Sequence, residues 1–285
     1  MNLQDMLEQV RQEFGLKVEF TVALLTMALM LARILPVILL SPMLGGDTTP
    51  TEVKLGLGLM LGLVLFPGVV DRLHYVPLNA LPFIATLLKE LFIGLCLSFM
   101  VSVVFDAANV AGQLMDNMSG TNMAQILVPQ IGQQVSLYAS LKLQLVVTLF
   151  ITMNGHHMVI EAFADSLSFV PLDQFPKMSH GSWAFYDLVL RTFGNLMRIA
   201  VAISAPVMLA SFLTDLALGM INRVAPQVQV FFISMQIKPG VAVLIVFVSL
   251  HLMLERMVGE FSGMFALVHR ALQLLGRKVV IGPGR

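Results

Sequence analysis

The amino-acid sequence predicts an all-α integral membrane protein made of broken hydrophobic helices and helical hairpins. Three observations carry that expectation. Of 285 residues, 57% are hydrophobic and only 12% charged, about half the charge that keeps a soluble domain wet. The mean hydropathy is +0.86. The apolar residues fall in long uncharged runs, each close to the roughly 20 residues that cross a bilayer core. Lys+Arg and Asp+Glu both number 17, so no net field recruits nucleic acid or anionic substrates. High hydrophobicity excludes a disordered chain. The single cysteine, Cys96, excludes an internal disulfide framework and a cysteine zinc site.

Taken in order, residues 1–19 form an acidic, amphipathic N-terminal segment without a signal-peptide cleavage pattern. Runs at 20–32 and 34–46 follow, separated only by Arg33 and broken by Pro36 and Pro42. The run at 55–70 carries Gly56, Gly58 and Gly62, a small-residue face of the kind that lets helices approach closely. Residues 82–104 contain Lys89 and Glu90, eight and nine residues in. Further runs lie at 143–160, 199–214 and 239–254, and Pro206 sits inside the second of these. Most are a turn short of a comfortable span, and extending them takes in a charge. Lys142 and Arg198 are expected to snorkel from helix ends. Arg33, Lys89 and Glu90 lie too deep for that, so they are expected to be buried against protein, with Arg33 paired to Glu90. Trp183, Phe185 and Tyr186 suit an interfacial anchor. The basic tail, 258–285, points to a cytoplasmic C-terminus by the positive-inside rule.

Two segments carry information beyond hydropathy. Residues 106–134 contain no Lys or Arg and are rich in Asn, Gln, Gly and Met. Such a stretch is too polar to face lipid and too apolar for a freely solvated loop. It reads as a loop bent at Gly112, Gly120 and Gly132, with Met115, Met118 and Met123 supplying adaptable apolar surface. It suits either the lining of a water-filled passage or a re-entrant packing loop. The second segment, 215–240, reads as a polar-capped hairpin in which Pro226 ends one helix and Pro239 starts the next, framed by Arg223 and Lys238.

Reactive chemistry is not expected. His157 and Glu161 fall one turn apart beside His156, but no third ligand has matching spacing, so no metal is assigned. Asp106 and Asp116 have no accompanying base or nucleophile. The sequence has no phosphate-binding loop, dinucleotide fingerprint or nucleophile elbow. No enzyme activity and no cofactor are expected.

The motifs ARILPVILLSPMLGG, TPTEVKLGLGL, KELFIGLCLSF, DAANVAGQLMDNMSGTNMAQILVPQ, NGHH and NRVAPQVQVFFISMQIK together resemble the FliR/SctT family, an inner-membrane export-gate subunit of type III secretion systems and flagella. The resemblance covers residues 20–257 as one membrane helical domain. The FFISM–IK element is more similar to the non-flagellar, virulence-type branch. Gln229 and Gln236 depart from the family's usual Asn and Pro.

The resemblance implies a protein-conducting channel assembled with two smaller membrane subunits (FliP/SctR-like and FliQ/SctS-like) and a switch subunit (FlhB/SctU-like). In such a helical export-gate assembly the apolar helices are wrapped by partners. It implies a pore or plug loop containing Gly112, Gln113, Met115, Asp116, Met118, Gly120, Met123 and Pro129, which gates unfolded protein substrates through 106–129. Arg33, Lys89 and Glu90 become buried charges for assembly. Arg223, Pro226, Gln227, Phe231, Phe232 and Lys238 become a subunit contact segment. The alternatives are a secondary transporter for a small solute, disfavoured by the lack of an internal repeat, and a purely structural scaffold.

Overall fold

The computed structural model describes residues 20–42, 49–70, 79–121, 136–176 and 181–276. The N-terminal segment 1–19, Met123, Pro129, Gly132 and the last residues, 277–285, lie outside them. The described residues form seven α-helices: α1 (Phe20–Leu40), α2 (Thr51–Val70), α3 (Ala80–Ser119), α4 (Leu137–Thr152), α5 (Gly155–Phe169), α6 (Gly181–Val224) and α7 (Val230–Leu275). Five of them are long and apolar enough to cross a membrane, or six spans if the broken pair α4–α5 counts as one. The expected all-α membrane architecture is therefore the observed one.

Local chemistry sets the helix ends. Pro42 disfavours a helical residue before it, and α1 stops at Leu40, with Ser41 N donating to Val37 O at 3.1 Å. Pro50 precedes α2, and its carbonyl accepts from Val53 N and Lys54 N at 3.1 and 3.3 Å. Glu52 in that first turn faces the positive end of the helix dipole. The uncharged run at 143–160 is not one helix. It breaks at Asn154, whose φ of 58° is left-handed, a conformation asparagine tolerates at a helix C-terminus. Gly155 then starts α5 against the Phe150 ring, where a Cβ would overlap the ring.

Pro36, Pro67, Pro206 and Pro239 all lie inside helices. The expectation that Pro239 starts a helix is corrected: α7 begins at Val230, where Gln229 O accepts from Phe232 N at 3.1 Å. α7 also runs on through 258–275, placing Phe261, Met264, Val268 and Leu272 of the expected tail in buried positions. α3, α6 and α7 have 40, 44 and 46 residues, about twice what a bilayer core requires.

The chain divides into two compact units. In the first (Met1–Ser102, His156–Leu188, Ala266–Arg285), α1 packs on α2 with Leu35 over Gly58 and Met27 over Gly62. Leu29, Met30, Val69 and Leu172 are buried there among Leu65, Phe66, Phe83, Leu87 and Leu167. α1 and α3 meet backbone to backbone at Gly94, where a Cβ would lie 2.5 Å from Arg33 O. Phe185, expected at an interface, is instead buried and sits 6.2 Å from the Phe92 ring, whereas Trp183 and Tyr186 are exposed.

The second unit (Val103–Gly155, Val189–Phe265) is organised around Phe105, Phe150 and Phe261, with ring centroids 5.2 to 5.6 Å apart. Such offset or edge-on aromatic contacts add to the gain from burial.

The glycine contacts predict a contrast. Gly94→Ala forces α1 and α3 apart and should destabilise the chain by about 1–3 kcal/mol. Gly56→Ala, with nothing within 4 Å of the added methyl, should be neutral or stabilising by up to about 1 kcal/mol. Thermal melts in detergent distinguish the two, and equal behaviour would contradict the packing at Gly94.

Candidate functional site

The first unit seals three charges inside. Arg33, Lys89 and Glu90 are 1%, 6% and 0% exposed. Arg33 Nε lies 2.5 Å from Glu90 Oε2, and Lys89 Nζ lies 2.6 Å from Glu90 Oε1. One carboxylate is thus shared by two cations, and the unspent donors turn to carbonyls. Arg33 donates to Val170 O at 2.8 Å and to Ser166 Oγ at 3.4 Å. Lys89 donates to the carbonyls of Leu172, Gln174 and Pro171 at 2.9, 3.0 and 3.3 Å. The four carbonyls follow the end of α5, where the helix dipole is negative. Burying a charge costs several kcal/mol unless pairing and hydrogen bonds offset it, and here every cation has both.

Lys142 departs from the snorkelling expectation. It is 2% exposed, and its Nζ donates to Met253 Sδ at 3.1 Å. The reason is register: Tyr138, Lys142, Val146 and Phe150 recur every fourth residue and form the buried stripe of α4. Arg198 is exposed.

In the second unit, the first part of the segment read as a loop is helix. α3 continues to Ser119, and Gly120, with φ 74°, ends it. Helical periodicity explains the difference. Ala107, Ala108, Ala111, Gly112, Met115, Asp116 and Ser119 are buried, while Gln113, Asn117 and Met118 are exposed and Asp106 and Asn109 half-buried. Asp106, Asn109, Gln113 and Asn117 thus line one face at helical spacing, and Gln113 Nε2 donates to Asn109 Oδ1 at 3.5 Å. Composition suggested a loop, but this three-to-four-residue spacing was the readable signal for Asn109 and Asn117.

Gly112 makes no bend. It lets α3 touch the backbone of α4 at Tyr138 and Ala139, where a Cβ would overlap main chain. Met115 is fully buried and lines no surface of this chain. Asp116, 1% exposed, is a structural acceptor. Its Oδ1 takes Thr121 Oγ1 at 2.8 Å and Tyr138 N at 3.2 Å, and its Oδ2 takes Ala139 N at 3.3 Å. Asp106 and Asp116 stand ten residues apart on one helix, about 15 Å along its axis, and form no carboxylate pair.

The third segment is a hairpin between α6 and α7. Ala225 N donates to Ile221 O at 2.8 Å and Val228 N to Ala225 O at 3.0 Å, after which α7 starts. Arg223, Pro226, Gln227, Phe231 and Phe232 are exposed. Lys238 Nζ reaches Asp215 Oδ1 at 2.5 Å and ties the two helices together. The His156 and His157 rings touch at a tilt of 51°, with centroids 4.4 Å apart, at the start of α5. Among the described residues no group of three metal-ligating side chains comes together.

Paired charges sealed inside apolar helices, a polar helix face without Lys or Arg, and helices about twice as long as a bilayer crossing define a multi-pass helical membrane component of a larger assembly. The model of the bacterial export proteins, family 1, matches residues 24–264, and the chain belongs to that family. The flagellar biosynthetic protein FliR of Bacillus subtilis (strain 168) is 25% identical over 236 residues, 82% of this chain and 90% of the relative. FliR of Pectobacterium carotovorum subsp. carotovorum is 31% identical over 218 residues, 74% and 79%. The Yop proteins translocation protein T of Yersinia pestis is 28% identical over 223 residues, 78% and 84%.

The FliR/SctT resemblance is thereby confirmed, with relatives from both the flagellar and the virulence branch at similar identity. The chain is an inner-membrane subunit of a type III or flagellar export apparatus, works with other export components, and is not an enzyme.

The charge cluster yields a specific expectation. Arg33→Met or Glu90→Gln alone should destabilise by about 3–5 kcal/mol, because each leaves a buried charge short of its partner. Exchanging the two charges should recover only part of this. A carboxylate at 33 would face Val170 O, and an arginine at 90 would face Lys89. Full recovery of detergent stability in the exchange variant would show that the Arg33–Glu90 pair alone matters.

Proposed function

We propose that this chain forms part of the protein-conducting channel of the export gate and that residues 106–129 gate the passage of unfolded export substrates. The observation that carries this reading is the polar stripe of Asp106, Asn109, Gln113 and Asn117, free of Lys and Arg, with Met118 beside it, on the side of α3 opposite the buried Ala107, Ala111 and Met115. Amide side chains offer hydrogen bonds to a passing backbone without holding any ion tightly. A methionine fits varied passing side chains without binding one strongly. Met115 belongs to the support of this face rather than to the face itself.

The partners in this reading are the FliP/SctR-like and FliQ/SctS-like membrane subunits and the FlhB/SctU-like switch subunit. Arg33, Lys89 and Glu90 stiffen the subunit for assembly. The α6–α7 hairpin with Arg223, Pro226, Gln227, Phe231, Phe232 and Lys238 is its contact segment, and the C-terminus is cytoplasmic. The apolar sides of α7, such as Phe247 at 81% exposed, are covered by those partners or by lipid. Export is powered elsewhere in the apparatus, and this subunit supplies the path.

The test is site-specific crosslinking to a stalled substrate in the assembled apparatus. Cysteines at Gln113 and Met118 are expected to crosslink, and one at the buried Met115 is not. No crosslink from either exposed position in an apparatus that still exports would overturn the gate reading. Because Asp116 is part of the packing, a leak test should delete 122–129 only, which is expected to raise small-ion conductance without loss of assembly.

A further inference from the structure

The first amides of any α-helix lack intrahelical acceptors and need a cap. For α4 the local residue fails to provide one: Ser136 sits at the cap position with extended backbone and makes no side-chain capping bond. The second and third amides, Tyr138 N and Ala139 N, are buried and are accepted instead by the two oxygens of Asp116, 22 and 23 residues earlier in the sequence. The same carboxylate takes the Thr121 hydroxyl, while the Asp116 carbonyl accepts from Ser119 Oγ at 3.3 Å and Thr121 Oγ1 at 3.1 Å. One turn earlier, Gly112 brings the two backbones into contact.

We propose that Asp116 is a cap supplied by the preceding helix, a positioning residue that fixes the register between the C-terminal end of α3 and the N-terminal end of α4. A capping serine or aspartate within α4 would stabilise that helix equally well. Only a cap borne by α3 also sets where Gln113 and Met118 stand relative to α4. The carboxylate is required rather than its amide, because both oxygens act as acceptors. In Asp116→Asn one of them becomes an NH2 group, which opposes a backbone N–H. The proposal rests on the gate reading in that it positions the proposed gate residues. Its test reads the junction itself, whereas substrate crosslinking reads the gate, so the two fail separately.

The first measurement is amide hydrogen exchange on the full chain in the assembled apparatus. Tyr138 and Ala139 are expected to exchange at least about tenfold more slowly than Leu137, which has no acceptor of this kind. Equal rates overturn the proposal without any variant being made. The second measurement separates positioning from helix stability. In a Cys96→Ser background, spin labels at Met118→Cys and Leu137→Cys, both exposed, should give a narrow distance distribution. Asp116→Asn combined with Ser136→Asp restores a cap to α4 and should restore slow exchange at Tyr138 and Ala139. The 118–137 distance is nevertheless expected to stay broadened. A distribution as narrow as wild type in that double variant would reduce Asp116 to an ordinary cap and overturn the proposal. Tyr138→Phe should change neither readout, since the amide and not the ring is held.

Discussion

Glu90 stands between Arg33 and Lys89 with essentially no exposure, and the first unit is built to satisfy the two cations it cannot neutralise alone. A single carboxylate offers about four lone-pair sites, while a guanidinium and an ammonium bring eight donors between them. The surplus has to find acceptors inside, because a buried donor without one costs about 1–3 kcal/mol. The turn after α5 supplies them as Val170, Pro171, Leu172 and Gln174 carbonyls. That requirement explains why α1, α3 and the end of α5 converge, and why Gly94 has no side chain at the Arg33 backbone.

The second unit meets the same constraint with opposite charge. Asp116 is a lone carboxylate, and among the described residues no cation is brought to it. Two helix-terminal amides and a hydroxyl serve in its place, with the positive end of the α4 dipole behind them. Both units therefore join helices by using the polar groups that helix ends leave over: carbonyls at the end of α5 for cations, amides at the start of α4 for an anion. In a chain with 12% charged residues, helix ends are the most abundant partners at hand.

Much of this was legible in the sequence. Arg33, Lys89 and Glu90 stood out because each lay deep in an apolar run, and depth in a run is a one-dimensional property. Their extra bonds were not legible, because the partners come from a segment more than eighty residues away. Lys142 was misread for a related reason. Its place at the edge of a run suggested snorkelling, while its spacing from Tyr138, Val146 and Phe150 decided the outcome. At 106–119 composition obscured periodicity: Asn, Gly and Met suggest a loop one residue at a time, but their arrangement puts small residues on one face and amides on the other. Pro239 suggested a boundary that the helix crosses, since membrane helices accommodate a missing donor when neighbours satisfy the freed carbonyl.

The exposed surfaces carry the last step. α3 buries 67% of its apolar stretch, whereas α7 buries 17% and leaves Val243, Leu244, Phe247, Val248 and Leu252 outward. A helix of 46 residues is roughly twice as long as one bilayer crossing. Lipid alone leaves part of such a helix unaccounted for, and a family of apparatus subunits supplies the alternative in neighbouring export components. The arrangement separates two tasks along the same chain. Charges and helix-end groups are satisfied within each unit, while the apolar faces are left for what the subunit meets.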